Sequence, residues 1–226
     1  MMVSNVVVMV IILLFSVVFH EVSHGWVAHR MGDDTAYKMG RLTLNPIPHI
    51  DPMMTILMPL MLGYMTGWRI MFGGAKPVPI NPYNFKNPKK GMAITAAAGP
   101  LSNLTLIIIV LVLFQLLTSL GLIDKYDVLR RFNRNELNFV DTFFVYSIII
   151  NSVLMAFNLI PIPPLDGSKV LMGFMSDRQA DKYESFSRYG IFFLIGLLLL
   201  GSLINFSIIG MIIYPFINFF LNALLL

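Results

Sequence analysis

Apolar residues in this chain fall into long runs separated by short polar or Pro/Gly-rich stretches. Val6 to Phe19 is interrupted only by Ser16, and further runs cover Met92 to Leu117, Phe139 to Asn158 and Ile191 to Leu226. A bilayer core needs about 20 apolar residues in a helix, so these runs predict membrane spans. The first run has only 14 residues, about 21 Å of helix. It can cross only if it continues through His20, Glu21 and His24 to Trp26-Val27-Ala28. Ionisable groups at that depth cost several kcal/mol each unless they face a wet or paired interior, which makes them functional candidates.

The intervening stretches are less regular. His29 to Asp51 is polar, with strand-like alternation in Gly40-Arg41-Leu42-Thr43-Leu44-Asn45-Pro46. Met53 to Met65 is apolar but short and holds Pro59, which predicts a re-entrant or interfacial piece. Trp68 to Lys90 contains Gly73-Gly74-Ala75-Lys76-Pro77-Val78-Pro79-Ile80-Asn81-Pro82. Apolar residues alternating with prolines predict an extended edge strand there, with its backbone donors partly free. Gly121 to Asn138 and Ser176 to Arg188 read as charged surface loops, and Ile191 to Leu226 as two short spans interrupted near Asn205-Phe206-Ser207. The expected fold is an all-α polytopic membrane protein. It has about five transmembrane helices, with re-entrant or extended membrane-associated segments between the first and second. Residues 1–226 are expected to form a single membrane-embedded domain, with a catalytic core over about 5–175 and C-terminal hydrophobic helices over about 189–226.

Composition agrees: 57% of the 226 residues are hydrophobic and 12% charged, with mean hydropathy +0.76, values of the polytopic class. The formal charge of +4 resides in loops, where it suits anionic lipid headgroups; no tract points to nucleic acid. Lys and Arg are spread evenly over the polar stretches, so charge alone leaves the orientation open. Absence of cysteine excludes thiolate ligands, disulfides and a cysteine nucleophile. Met1 to Phe19 has a signal-like apolar stretch but no basic leader and runs straight into the histidines, so a retained span is expected.

The chemistry starts at His20-Glu21-Val22-Ser23-His24. Two histidines four apart on a helix lie about 40° apart around its axis, so both imidazoles can reach one metal ion. Glu21 can lean over that ion and take a proton from water without binding the metal. A third ligand is missing locally. The Phe139 run ends in Asn158-Leu159-Ile160-Pro161-Ile162-Pro163-Pro164-Leu165-Asp166-Gly167, where the prolines must open the helix. Asp166 emerges at that break, either as the third ligand or as the cap of a short helix over Ser168 to Met175. If it shares a metal with the histidines, the two spans run in the same direction. An odd number of crossings then separates them, so Met53 to Met65 does not cross. His29 reads as an interfacial side chain. His49, with Asp51, reads as polar support or substrate contact near the site, or else as part of a turn. Asn103, in Gly99-Pro100-Leu101-Ser102-Asn103, reads as helix-packing glue or a weaker substrate or oxyanion contact.

With His20, Glu21, His24 and Asp166 assembled, the chain resembles the site-2 protease family of intramembrane zinc metalloproteases, most of all its small bacterial and archaeal members. The likeness rests on HEVSHGWVAH, GRLTLNPIPHIDP, GGAKPVPINP, GPLSN and NLIPIPPLDG, which lie within residues 10–172. The resemblance implies one Zn2+ per chain held by His20, His24 and Asp166, with Glu21 as general base. It implies that Asn158 and the extended edge engage the substrate, a transmembrane-helix protein. It also implies a site near the cytosolic face in a multi-pass integral membrane protein surrounded by lipid. No PDZ segment interrupts the chain, so substrate gating of that kind is expected to be absent or supplied by an accessory or regulatory membrane protein. Met54 stands where similar proteins tend to have glycine. Two other classes compete. A metal transporter or other non-proteolytic metal-binding membrane protein would show repeated halves, which are absent, and would leave Glu21 without an obligatory role. An iron-dependent membrane oxygenase of the many-histidine type needs more than the four histidines present.

Overall fold

The computed structural model describes residues 3–65, 73–203 and 207–225. Among these residues the protein is helical and has no strand. The first span, α1 (Val3–Arg30), runs through the HExxH stretch and stops at a glycine cap. Gly32 takes φ +105°, Gly32 N–H returns to His29 O at 3.1 Å and Asp33 N–H to Ala28 O at 2.9 Å. This paired closure satisfies the last carbonyls of the helix. The short α2 (Thr35–Lys38) follows. Pro52–Leu57 forms a wide turn of π-helix that leads into α3 (Met58–Met65). Together these pieces are too short to cross a bilayer, as the parity of the chain requires. Trp68 to Phe72 lies outside the described residues.

Two further spans complete the centre of the molecule: α4 (Pro88–Ser119), capped by Asn87 with Pro88 in the first turn, and α6 (Phe139–Asn158), opened by an Asn138/Asp141 capping box. Between them α5 (Lys125–Asn133), capped by Asp124, occupies a stretch expected to be loop. Long-range contacts give the directions. Asn5 donates to Leu137 O at 2.8 Å and Asn151 to Ser16 at 3.0 Å, so α1 and α6 run parallel. The edge-to-face contact of Phe114 with Phe144 and the pairing of His24 with Thr95 make α4 antiparallel to both. Aliphatic side chains of α4, α5, α6 and the chain end pack around Phe114 and Ile148. The opposite face of α1 leaves Val7, Ile11 and Phe15 exposed, as lipid contact requires.

After α6 the chain opens over Leu159–Leu165 and re-forms as α7 (Asp166–Phe174), α8 (Asp177–Ser187), α9 (Gly190–Leu203) and α10 (Ile208–Leu225). A cis peptide joins Pro163 to Pro164. Ser176 and Gln179 form a capping box on α8, so this stretch is a helix and not the surface loop its charge pattern predicts; the S-x-x-Q signature is present in the sequence. Four helices, α1, α4, α6 and α10, are individually long and apolar enough to cross. A fifth crossing is available if α8 and α9, bent by 61°, act as one span. The interruption expected near Asn205-Phe206-Ser207 lies, apart from Ser207, outside the described residues.

The segment over 73–81 is extended, but it joins no ladder among the described residues. The N–H groups of Gly74, Lys76 and Val78 donate to Met54 O at 3.0 Å, His49 O at 2.8 Å and Glu21 Oε2 at 3.0 Å. Donors expected to be partly free are therefore taken up by the protein itself. Asp33, fully buried, pins the far end. It accepts from Asn81 N at 2.7 Å, Asn84 Nδ2 at 2.7 Å, Thr35 N at 3.1 Å and the Thr35 hydroxyl. Burial alone would raise its pKa, but the donors from Thr35, Asn81 and Asn84 hold the carboxyl below the usual range.

Replacing Asp33 with Ala removes these bonds and strands buried donors, so it should lower unfolding stability by about 2–4 kcal/mol near neutral pH. A depressed carboxyl pKa contributes stability above its unfolded value and loses it as pH falls through the folded one. The gap between parent and variant in detergent unfolding should hold down to about pH 5 and close below about pH 4. A gap independent of pH would assign the effect to packing.

Candidate metal centre

His20 and His24 both project from the inner end of α1, and both are buried. Their rings stand edge to face with centroids 4.7 Å apart. Their outer nitrogens are occupied by α4: His24 Nδ1 lies 2.8 Å from Thr95 O, and His20 Nδ1 lies 2.7 Å from Asn103 Oδ1. A backbone carbonyl can only accept, so His24 carries a proton on Nδ1, which leaves Nε2 as the nitrogen able to meet a metal.

The inner nitrogens converge on the chain segment after α6. Asp166 Oδ2 is 3.1 Å from His20 Nε2 and 3.1 Å from His24 Nε2. With the ring protons on Nδ1, three acceptors face one another in a buried space. Their mutual repulsion is relieved by a cation between them, or by a proton on one of the nitrogens. The spacing suits one: a tetrahedral ion with bonds of about 2.0–2.1 Å sets its ligands about 3.3 Å apart. Asp166 opens α7 but caps nothing; the N-cap position is Leu165, and the carboxylate turns to the histidines instead. Gly167 permits this turn, since a Cβ there would lie 2.6 Å from Ile160 O and closer still to Leu159 O.

Room for the ion comes from α4. A Cβ on Gly99 would stand 2.5 Å from His20 Nε2 and closer to His24 Nε2, which is where a bound metal belongs. Thr95, Gly99 and Asn103 are four apart, so one face of α4 supplies an acceptor, a gap and an acceptor. This spacing is visible in the sequence, but its relation to the histidines is not.

Glu21 approaches differently. Its ligand atom lies within 4.8 Å of those of both histidines, while Oε2 is held by Val78 N–H at 3.0 Å. These residues border a cleft of about 280 Å³ between the broken end of α6 and the 73–80 segment, with Asn158 and Lys169 on its wall. Asn158 Nδ2 donates to Leu154 O at 2.9 Å, which leaves its carbonyl oxygen for a visitor. Asn103, fully buried, turns to His20 and not to the cleft. His49 is also buried and away from the cleft wall; its Nε2 meets Thr43 O at 3.0 Å, and its backbone carbonyl holds Lys76. His29 pairs with Asp34 at 2.7 Å at the end of α1.

Gly99→Ala should abolish zinc binding while the fold persists, because alanine favours helix by about 1 kcal/mol over glycine but fills the ion's place. Metal analysis of the purified variant, set beside its helical circular dichroism, checks this; parent zinc stoichiometry would refute it.

Residues 8–203 match the family model for peptidase family M50. The chain is 39% identical over 196 residues to "Putative zinc metalloprotease YwhC" of Bacillus subtilis, an alignment covering 86% of this chain and 82% of that protein. It is 26% identical over 190 residues to "Putative zinc metalloprotease Rip2" of Mycolicibacterium smegmatis, covering 84% of this chain and 66% of the relative. No solved structure matches. The buried nitrogen–carboxylate cluster, the membrane-spanning helices and these likenesses converge: this chain belongs to peptidase family M50, the site-2 proteases, and is a membrane-embedded zinc metalloprotease.

Proposed function

We propose that the protein hydrolyses a peptide bond within or beside a transmembrane helix of a membrane-protein substrate, with His20, His24 and Asp166 as zinc ligands and Glu21 as general base. The observation that carries the reading is the approach of Asp166 Oδ2 to 3.1 Å from both imidazole nitrogens, beside a carboxylate held back from them. Zinc in that set supplies Lewis acidity and lowers the pKa of water toward 7.

The chain's own groups do the rest. Val78 N–H anchors Glu21 Oε2, so Oε1 is the atom that removes a proton from the attacking water. The same oxygen then returns the proton to the leaving amine nitrogen, and the products are a carboxylate and an amine. Asn158 presents its carbonyl oxygen toward the cleft, where it can hold a substrate N–H. A helical substrate keeps its own carbonyls and N–H groups bonded and must unwind to be cut. The 73–81 segment offers replacements. Gly74, Lys76 and Val78 turn their N–H groups inward, so the intervening residues Ala75, Pro77 and Pro79 face outward. Two of these three are prolines, so the outward edge is poor in donors; Arg41 reaches Pro77 O at 3.4 Å, and the carbonyls of Ala75 and Pro79 remain as acceptors. This edge suits the N–H groups that an unwinding substrate helix releases.

Glu21→Gln should retain zinc and lower cleavage of a co-expressed membrane substrate by about 10²–10⁴-fold. Cleavage at the parent rate would remove Glu21 from the mechanism. Asp166→Ala should instead lower the zinc content, and undiminished stoichiometry would assign the third ligand elsewhere.

A further inference from the structure

Four polar side chains from three spans form a line through the dry interior. His20 Nδ1 meets Asn103 Oδ1 at 2.7 Å, and Asn103 Nδ2 donates to Asn151 Oδ1 at 2.9 Å. Asn151 Nδ2 then donates both its protons, to Ser16 Oγ at 3.0 Å and to Ser147 O at 2.9 Å. Asn103, Asn151 and Ser16 are each no more than 2% exposed, so no solvent stands in for a lost partner.

We propose that Asn151 is a positioning residue of the metal centre, which fixes through Asn103 the tautomer in which His20 offers a bare Nε2 to the ion. The direction of the line is set at its far end. Ser147 O is a backbone carbonyl and can only accept, so Asn151 must turn its amide nitrogen toward it and its oxygen toward Asn103. Asn103 must then meet that oxygen with its own nitrogen, which leaves Oδ1 for His20. An oxygen at that place requires the proton on Nδ1. Reversing Asn103 alone would set two carbonyl oxygens against each other; reversing both amides would set Asn151 Oδ1 against Ser147 O. His24 needs no such line, because Thr95 O faces it directly. One histidine is thus oriented by backbone, the other by a side-chain relay anchored on backbone two helices away. Outer partners of this kind fix ligand orientation, and their loss typically weakens metal binding by about 10–100-fold.

The inference rests on His20 being a zinc ligand. The test uses the full chain in detergent, with zinc affinity read by competition against a chromogenic chelator. The tautomer of His20 is read by ¹⁵N-histidine NMR in the metal-free protein. In the parent, His20 should carry its proton on Nδ1. Asn151→Leu should weaken zinc binding by about 10–100-fold and shift His20 toward the Nε2–H form. In an N103D background the same substitution should cost no affinity, since a carboxylate accepts whichever way it is turned. A purely structural role would give equal losses in both backgrounds and would overturn the relay. An Nε2–H tautomer in the parent would overturn it without any variant. If His20→Ala loses zinc while Asn151→Leu binds as the parent does, the relay alone fails. If His20→Ala keeps its zinc, the ligand assignment fails and the relay with it.

Discussion

Two imidazole nitrogens and a carboxylate oxygen 3.1 Å from each converge at the buried head of the cleft, and the central helices are arranged around that convergence. The three repel one another unless a cation or a proton lies between them. A divalent ion held there would join the end of α1 to the start of α7, and would couple metal binding to folding. The short break after α6, with its prolines and the close-packed Gly167, places one carboxylate against a helix that begins the chain.

The helix between them does more than fill space. Thr95, Gly99 and Asn103 lie on one face of α4, and their contributions differ. Thr95 O meets one imidazole, Gly99 leaves a gap beside both, and Asn103 meets the other. Small and amide-bearing residues in membrane helices usually mean close packing and interhelical hydrogen bonds. Here both happen, and in the proposed site the gap would take the ion and the amide would hold a ligand. The amide polarity of Asn103 and Asn151, which a bilayer would otherwise penalise, is absorbed in bonds running from His20 to Ser147.

The cleft side is built from weaker material. The 73–81 segment is fixed by its N–H bonds to three places, including the carboxylate of Glu21, by Thr55 and Arg41 on its carbonyls, and by the buried Asp33 at its end. Such a wall holds shape without a sheet. The outer surface of the span bundle is lipid-facing, so the polar chemistry is gathered inside and toward one end of the spans.

Much was legible in the residues alone. Run lengths located α1, α4 and α6, because a helix must be long and apolar to replace water with hydrocarbon. The HExxH spacing and the Pro-rich break with Asp166 pointed to groups that the fold brings together, because periodicity and proline are local constraints. Direction followed from parity. The helices α5 and α8 were missed although their caps are present in the sequence, because charge patterns there overrode capping signals. The expected strands were not realised: alternation predicts extended backbone but cannot name its partner, and the partners proved to be side chains and loop carbonyls. Which acceptor faces each imidazole, why Gly99 has no side chain and where Asn103 and His49 turn were decided only in three dimensions. Those contacts join residues up to 146 positions apart, and no local pattern encodes a distance between helices.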